Sequence, residues 1–161
     1  MSRTLPSREA FLARLNEVVL HELEAVERVS TVTREEVTSD ETRSEGKYDT
    51  RATEASYLAR GQAWRIAELR QLVAWCSQLS GAPPSERRAC LGSLLLAEAA
   101  TSSLYFLAPV GGTRVRVQGK TVRLVSPQSP IGQALLGLEI DDETHFESPT
   151  GPQSLVLLEL C

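Results

Sequence analysis

The 161-residue sequence predicts an α+β protein, in which an antiparallel helical hairpin precedes a small antiparallel β-sheet domain with one short helix. Two long helical patterns come first, joined by a short polar segment, and after Cys90 the apolar residues change to the spacing of strands. A linker rich in Gly and Pro at 81–85 separates these two regions. We therefore expect residues 1–82 to form a coiled-coil hairpin and residues 83–161 to form a second domain.

The first helical pattern begins after Ser7, which follows Pro6 and is suited to cap a helix. Apolar residues then recur every three or four positions, a spacing that places them on one helix face. They are Leu12, Leu15, Val19, Leu23, Val26 and Val29. If the helix continues to about Val37, its length is on the order of 45 Å at ~1.5 Å per residue.

The second helical pattern begins near Asp49, a suitable N-cap, and is stopped by Gly81 and the prolines that follow it. Its apolar face contains Ala55, Leu58, Gln62, Ile66, Leu69, Val73 and Cys76, with Gln62 as the polar member. Two helices of similar length joined by a short polar segment are expected to fold back as an antiparallel coiled coil. Such a thin hairpin needs the second domain or a partner to cover its remaining apolar surface.

The segment that joins the two helices is acidic. Residues 39–50 contain four carboxylates, Asp40, Glu41, Glu45 and Asp49, and almost no apolar side chains. One interpretation is a solvated loop, because runs of charge are usually just exposed surface. The other is a functional tip, presented at the end of the hairpin that is farthest from the second domain.

The second domain is expected to contain strands interrupted by one helix. The strand patterns lie at 90–98, 103–108, 115–118, 121–125, 143–148 and 154–160. Gly119-Lys120 and Thr150-Gly151 are the expected hairpin turns. The helix is expected at 130–137, because Ser129 can cap it, Pro130 suits its first position and Gly137 can end it.

Composition excludes some functions. A net charge of −4 argues against a protein that binds nucleic acid by itself, since phosphate binding needs a concentrated basic surface. Cys76, Cys90 and Cys161 are few and widely spaced, so we expect free thiols. His21 and His145 are expected on the surface. The sequence has neither a signal peptide nor an apolar run that could span a membrane, and a cytoplasmic location is expected.

The C-terminal region contains a recognisable motif. Residues 129–139 read Ser-Pro-Ile-Gly-Gln-Ala-Leu-Leu-Gly-Leu-Glu and precede a hairpin with Thr150-Gly151 at its turn and an apolar last strand. This segment resembles the C-terminal domain of the Gre family of bacterial transcription elongation factors, in motif, strand order and spacing. The resemblance covers roughly residue 90 to the C-terminus.

The N-terminal half is similar to the same family less closely. Residues 55–62 read Ala-Ser-Tyr-Leu-Ala-Arg-Gly-Gln, an altered version of a family pattern that follows an acidic coiled-coil tip. In the family, the tip that supports RNA cleavage reads Gly-Asp-x-x-Glu-Asn-Ala-Glu-Tyr. Here Lys47 follows Gly46, and no gap-free alignment places an acid at both family positions. Asp49 and Glu54 are the nearest candidates when gaps are allowed.

The resemblance implies a topology like that of the FK506-binding (FKBP) prolyl isomerases for the second domain, which would dock on RNA polymerase at the rim of its secondary channel. It implies that Ser129, Pro130 and Ile131 contact the polymerase. The hairpin would enter the channel, where tip carboxylates share a Mg²⁺ with the polymerase; Glu45, Asp49, Asp40 and Glu41 are the candidates. The free protein would hold no cofactor, would be no enzyme alone, and would meet nucleic acid only through the polymerase.

Three functions stay open at this point. The first is a Gre-like factor that modulates elongation, for example by stimulating cleavage of backtracked RNA. The second is a binder of the same channel that inhibits or competes without promoting cleavage. The third is a coiled-coil scaffold for another complex. Prolyl isomerase activity is not expected, since Tyr105, Phe106 and Phe146 are too few to line an aromatic pocket.

Overall fold

A computed structural model describes the backbone of residues 4–41 and 49–161, and the side chains of residues 4–32, 53–54 and 56–161. Helix α1 comprises Arg8–Glu41 and helix α2 comprises Asp49–Cys76. The two helices contact each other and form a hairpin. At 34 residues, α1 is about 51 Å long at ~1.5 Å per residue, somewhat longer than predicted. Ser7 caps it as expected, with the Ala10 amide 3.5 Å from its hydroxyl oxygen.

The buried part of the hairpin is its base. On α1 the fully buried residues are Phe11, Leu15 and Val19, and on α2 they include Leu69 and Leu72. Farther from the base, side chains that were predicted to lie on the apolar faces are in solvent. Val29 of α1 is 55% exposed and Leu58 of α2 is 56% exposed. The helical period was therefore correctly read, and among the described side chains of both helices the fully buried ones lie at the base.

The second domain is a six-stranded sheet with the order β3-β4-β2-β1-β6-β5. Its strands are β1 (Leu94–Glu98), β2 (Ser102–Leu107), β3 (Arg114–Val117), β4 (Lys120–Val125), β5 (Glu143–Ser148) and β6 (Gly151–Leu160). Helix α3 (Pro130–Leu135) lies between β4 and β5 in the chain. The predicted α+β class, with a helical hairpin before a small sheet domain that contains one short helix, is confirmed.

The sheet is mixed and not wholly antiparallel as predicted. Strands β2 and β4 run parallel, with Leu104 opposite Val122 and Leu107 opposite Val125, while the other neighbours are antiparallel. The reason lies in the connection after β2. The chain passes over one strand position before β3 begins, and the β3–β4 hairpin then returns to fill the gap beside β2. The alternation of apolar and polar residues along a single strand cannot show such a crossover.

Each face of the sheet has its own core. One face packs against the base of the hairpin, and its buried residues include Phe106, Val115 and Leu124 together with Phe11, Leu15 and other helix residues. The opposite face packs around Leu135 of α3. Because one core joins the helices to the sheet, the hairpin base is part of the hydrophobic interior of the molecule. The domain boundary after residue 82 stays a prediction.

Several element ends differ from the predicted positions. The β3–β4 turn consists of Gln118 and Gly119, with φ angles of 50° and 74°, and not of Gly119 and Lys120. Positive φ at both central residues is the geometry of a type I′ turn, whose twist suits a two-residue hairpin. Strand β1 begins at Leu94 because the chain turns at Gly92, where φ is 91°. Strand β6 begins earlier than predicted, at Gly151.

The segment before α1 is tied to the sheet domain by polar contacts. The Leu5 amide donates to the Glu159 carboxylate at 3.0 Å, and the Lys120 ammonium donates to the Thr4 carbonyl at 2.5 Å. Arg8 is buried, and its guanidinium donates to the Gly92 carbonyl at 2.7 Å. Such hydrogen bonds from a charged donor offset part of the cost of burying the guanidinium, so these contacts add to the apolar core in fixing the start of α1.

Candidate partner-binding site

The predicted contact residues Ser129, Pro130 and Ile131 lie at the start of α3. The Ser129 hydroxyl accepts from the Gly132 amide at 3.1 Å and donates to the Ser126 carbonyl at 2.8 Å, so it caps the helix as predicted. Pro130 is exposed. Ile131 is half-buried and packs against the core around Leu135, so less of it is open to a partner than an exposed turn at 130–131 would offer. Neighbouring residues in the first turn of a helix project from different sides, so an apolar residue can face the sheet while the residue before it faces water.

The start of α3 has no room for extra atoms. A Cβ placed on Gly132 would lie 1.9 Å from the carbonyl oxygen of Ser126, closer than any two such atoms can approach. The same carbonyl accepts the Ser129 hydroxyl and the Ser129 amide, the latter at 3.0 Å. Gly132 therefore permits a compact, fully hydrogen-bonded turn that presents Pro130 to solvent on rigid backbone.

A groove of about 430 Å³ runs beside this turn. It is bordered by Ser129 and Ile131, by the loop before β3, and by Glu68 of α2. Its remaining lining residues include Arg114, Arg123 and Ser126. The groove lies between the sheet domain and the hairpin, so a partner seated in it would contact both parts of the chain.

A polar network fixes the hairpin beside this groove. The Arg65 guanidinium of α2 donates to one oxygen of the Glu22 carboxylate of α1 at 2.5 Å, and the Thr113 hydroxyl donates to the other oxygen at 3.0 Å. Arg65 also contacts Glu68 at 3.3 Å. Burial by itself would lower the pKa of Arg65, but hydrogen bonding and charge from Glu22, and to a smaller extent Glu68, outweigh it, so the pKa is raised. The guanidinium thus stays charged and links both helices to the sheet domain.

Sequence reasoning missed this network. Glu22 and Arg65 were not singled out. Their pairing depends on the register between the two helices, and the sequence does not show where the first helix ends and the second begins. Thr113 was equally hidden in the loop before β3. The only signal available was the presence of opposite charges on two helices that were expected to be antiparallel neighbours, and many other pairs in the hairpin share that signal.

The hairpin exposes several large apolar side chains among its described residues. They are Leu20, Val29, Val32, Tyr57, Leu58 and Trp64, and Trp64 is the most exposed at 72%. Leu20 is 46% exposed and Tyr57 is 68% exposed. Tyr57 and Trp64 are seven residues apart on α2, so they lie on the same face of that helix.

The four acidic candidates of the tip lie outside the residues whose side chains are described. Asp40 and Glu41 belong to the end of α1 and Asp49 to the start of α2, whereas Glu45 lies in the segment between the described ranges. Glu54 is described and is exposed. Within residues 4–32, 53–54 and 56–161, no group of three or more His, Cys, Asp or Glu could hold a metal. The Mg²⁺ role of the tip stays a prediction.

The remaining candidates behave as expected. His21 and His145 are exposed, and Cys76, Cys90 and Cys161 are free thiols. Burial raises the pKa of the Cys76 thiol to about 11, so this side chain is an inert part of the core. None of the helices in the described part of the chain is long and apolar enough to cross a membrane.

Comparison with known proteins connects this architecture to a family. Residues 106–160 match the family described as "Transcription elongation factor, GreA/GreB, C-term". The chain is also similar to transcription elongation factor GreA of Syntrophobacter fumaroxidans, with 30% identity over 97 residues. That match covers 60% of this chain and 60% of the relative's length. Residues 106–160 include the capped start of α3 and the residues that line the groove beside it, except Glu68.

Solved structures give weaker likenesses. GreA factor homolog 1 (Gfh1) of Thermus thermophilus is 17% identical, with a TM-score of 0.40 and coverage of 92% of this chain and 95% of that chain. A GreA/GreB factor from Nitrosomonas europaea is 22% identical, with a TM-score of 0.35 and coverage of 57% and 78%. TM-scores below 0.5 do not establish a shared fold, so the assignment rests on the first two matches.

The C-terminal part of this chain is therefore similar to the C-terminal domain of GreA/GreB transcription elongation factors, over residues 106–160. The similarity to a full-length GreA extends over 60% of this chain.

Proposed function

We propose that this chain binds bacterial RNA polymerase at its secondary channel and modulates elongation. The observation that carries the proposal is the joining, through one apolar core, of a domain like the GreA/GreB C-terminal domain to a long helical hairpin. The domain would dock at the rim of the channel with the start of α3, and the hairpin would enter the channel. This requires that the chain act in the cytoplasm, where the polymerase is.

The exposed apolar side chains of the hairpin support a bound partner. The base of the hairpin is already covered by the sheet, whereas Tyr57, Leu58 and Trp64 of α2 face solvent. Covering such side chains is favourable at about 25 cal/mol per Å² of apolar surface. A channel wall that packs against them would stabilise the inserted hairpin without further charges, in keeping with the net charge of −4.

For the tip we propose a supporting role in metal binding. Carboxylates from residues 40–49 would add oxygen ligands to a Mg²⁺ that the polymerase's own carboxylates already hold in part, because Mg²⁺ prefers hard oxygen ligands and keeps several waters. The Mg²⁺ would activate water for cleavage of backtracked RNA. The chain would supply only half of such a site and would not be an enzyme by itself.

A second candidate function is binding without cleavage, favoured by the sequence of the tip. Gly46 is followed by Lys47, and no gap-free alignment gives acids at both positions of the family's cleavage-competent tip. We expect weak or absent stimulation of cleavage. The chain would then compete for the channel or inhibit elongation from within it.

The first experiment is affinity purification of the tagged full chain with RNA polymerase, followed by a titration with purified polymerase. Saturable binding is expected. If no polymerase subunit co-purifies and the titration shows no binding, both candidate functions are wrong and a scaffold for another complex is favoured.

The second experiment measures RNA cleavage in a stalled, backtracked elongation complex at saturating protein. The double variant Glu45→Ala with Asp49→Ala should abolish any stimulated cleavage while leaving polymerase affinity nearly unchanged. A matched control replaces Glu17 and Glu24 by Ala, since both are exposed acids of α1 in its described part. Cleavage that survives the tip variant would show that these two acids are not metal ligands.

A further inference from the structure

Two arginines face each other across the edge hairpin of the sheet. Arg114 of β3 lies directly opposite Arg123 of β4, and both side chains are exposed. The Leu124 amide donates to the Thr113 carbonyl at 2.9 Å, one residue outside this pair on each strand. This bonding pattern makes Arg114 and Arg123 a non-hydrogen-bonded pair, in which the Cα atoms are only about 4.5 Å apart and the side chains are closest. Arg116, also exposed, extends the same face.

Such a pair costs stability, because like charges directly opposite each other on a sheet repel. Among the described residues, no acidic side chain forms an ion pair with Arg114, Arg116 or Arg123. In contrast, the exposed arginines Arg14, Arg70 and Arg88 each have a carboxylate partner within 3.0 Å. The fold itself therefore gives no reason for two unneutralised arginines at this position.

The groove beside α3 provides a reason for the two arginines. Both Arg114 and Arg123 line it, together with Ser129 and Ile131. The Arg123 guanidinium lies over the ring of buried Tyr105, 5.8 Å from its centroid, which orients the charge at the groove. The groove thus combines two cations, a capped and rigid turn, and a half-buried apolar side chain.

We propose that the Arg114–Arg123 pair binds carboxylates of an acidic protein segment that docks in this groove. The inference rests on the proposed function, and the segment then belongs to RNA polymerase. Two adjacent guanidinium groups suit carboxylates, with which they form short charge-assisted hydrogen bonds. Binding removes the cross-strand repulsion at the same time, so the unfavourable pair in the free chain is compensated only in the complex.

A protein segment fits the groove better than a nucleic acid. Glu68 also lines the groove, and its carboxylate would repel the phosphates of a nucleic acid bound there. Ile131 offers an apolar contact that a phosphate backbone does not use. The net charge of −4 also opposes binding of a polyanion. A protein segment can place carboxylates at the arginines and a neutral or basic residue near Glu68.

The test replaces Arg114, since no described contact of the folded chain depends on its side chain. Arg114→Ser should weaken polymerase binding about tenfold, and Arg114→Glu should weaken it more, since truncating or reversing a paired interfacial charge is costly. Neither change should lower the melting temperature, and Arg114→Glu should raise it by creating an opposite-charge pair with Arg123. Arg88→Ser removes an exposed arginine elsewhere in the same domain and should leave affinity unchanged.

Two results would overturn the inference. One is unchanged polymerase affinity of both Arg114 variants while the unaltered chain binds, a result that leaves the proposed function standing. The other is salt-sensitive binding of single-stranded RNA by the full chain that is lost in Arg114→Ser while polymerase affinity is kept, which would assign the pair to nucleic acid. Failure of the unaltered chain to bind polymerase is a separate outcome, which overturns the proposed function and, with it, the identity of the acidic partner.

Discussion

The ring of Phe11 in α1 lies 4.8 Å from the ring of Phe106 in β2, tilted by 58°. Trp75 of α2 contacts the same Phe106 ring at 5.9 Å. Both helices therefore meet the sheet at one buried aromatic side chain. Tilted aromatic pairs at these distances add to the free energy of burial. The orientation of the hairpin on the sheet depends on this cluster and on the Glu22–Arg65–Thr113 network.

Replacing Phe11 by Ala is expected to lower the free energy of unfolding by about 3–5 kcal/mol, because a fully buried ring leaves a cavity. Equilibrium denaturation with urea measures this change. Val32→Ala is the control, since Val32 is 53% exposed on the same helix and its loss should cost less than about 0.5 kcal/mol. A small effect at Phe11 would show that hairpin and sheet do not share a core.

Glu22→Gln is expected to destabilise the chain by about 1–2 kcal/mol, since the amide keeps the shape but loses the charge that pairs with partly buried Arg65. The control is Glu17→Gln, which removes one partner of the exposed Arg14–Glu17 pair and should be almost neutral. Thermal unfolding of the three proteins gives the comparison. If the two substitutions lower the stability equally, the Glu22–Arg65–Thr113 network stabilises the fold no more than an exposed ion pair does.

Cys76 is expected to make stability fall with rising pH in an alkaline range. Well below pH 9 the thiol is protonated in both the folded and the unfolded chain, and it contributes no pH dependence. Between pH 9.0 and about 11 the unfolded chain loses the thiol proton while the folded chain keeps it. The unfolded state is thereby favoured by up to about 1.4 kcal/mol per pH unit.

The measurement for Cys76 compares urea denaturation from pH 8 to 11 in the unaltered chain and in Cys76→Ala, since the other titrating groups are common to both. The unaltered chain should lose more stability over this range than the variant does. Parallel curves for the two proteins would contradict a raised pKa. A thiol reagent should likewise modify Cys76 only after unfolding.

Gly132→Ala is expected to cost several kcal/mol or to prevent folding, because its methyl group would overlap the Ser126 carbonyl. Gly61→Ala is the matched control, for which the opposite change in stability is expected. Gly61 lies within α2 with nothing within 4 Å of an added Cβ, and Ala there should stabilise the helix by about 0.5–1 kcal/mol. Circular dichroism during thermal unfolding distinguishes the two outcomes.

The partial burial of Ile131 makes Pro130 the better position for testing contact at the start of α3. Ile131→Asp would place a charge against the core around Leu135, so a loss of the cooperative melt is expected whether or not Ile131 meets a partner. A substitution of exposed Pro130 separates contact from folding. Pro130→Glu should fold, since a carboxylate suits the first turn of a helix, and should weaken polymerase binding. Unchanged affinity would remove Pro130 from the contact surface.

Local signals in the sequence were sufficient for much of this fold. The caps at Ser7 and Ser129 and the helix stop at Gly137, where φ is 84°, all follow from a few neighbouring residues. The helical periods in α1 and α2 were equally visible. Such features are predictable because capping, turn formation and periodicity depend on contacts within one or two turns of chain.

Long-range register was not predictable, and part of the candidate site depends on it. A hairpin turn at Gly119 and Lys120 would have placed Arg123 opposite Arg116, whereas the observed turn at Gln118 and Gly119 places it opposite Arg114. That register follows from the type and position of one hairpin turn, and a one-residue shift of the turn changes every cross-strand pair. The parallel alignment of β2 and β4 and the meeting of Glu22 with Arg65 have another origin, because they depend on how distant segments pack.

The position of β6 has a consequence for the order in which the chain can fold during its synthesis. This strand lies between β1 and β5, and Leu160 pairs with Leu95. The sheet therefore cannot be completed until residue 160 has left the ribosome, whereas the hairpin emerges much earlier. The buried sheet-domain side chains that share a core with Phe11, Leu15 and Leu72 lie between Leu94 and Leu124, so the hairpin base stays uncovered until that segment has emerged. Pairing of distant segments is slow, so the nascent hairpin is the stage of biogenesis most open to chaperones and to aggregation.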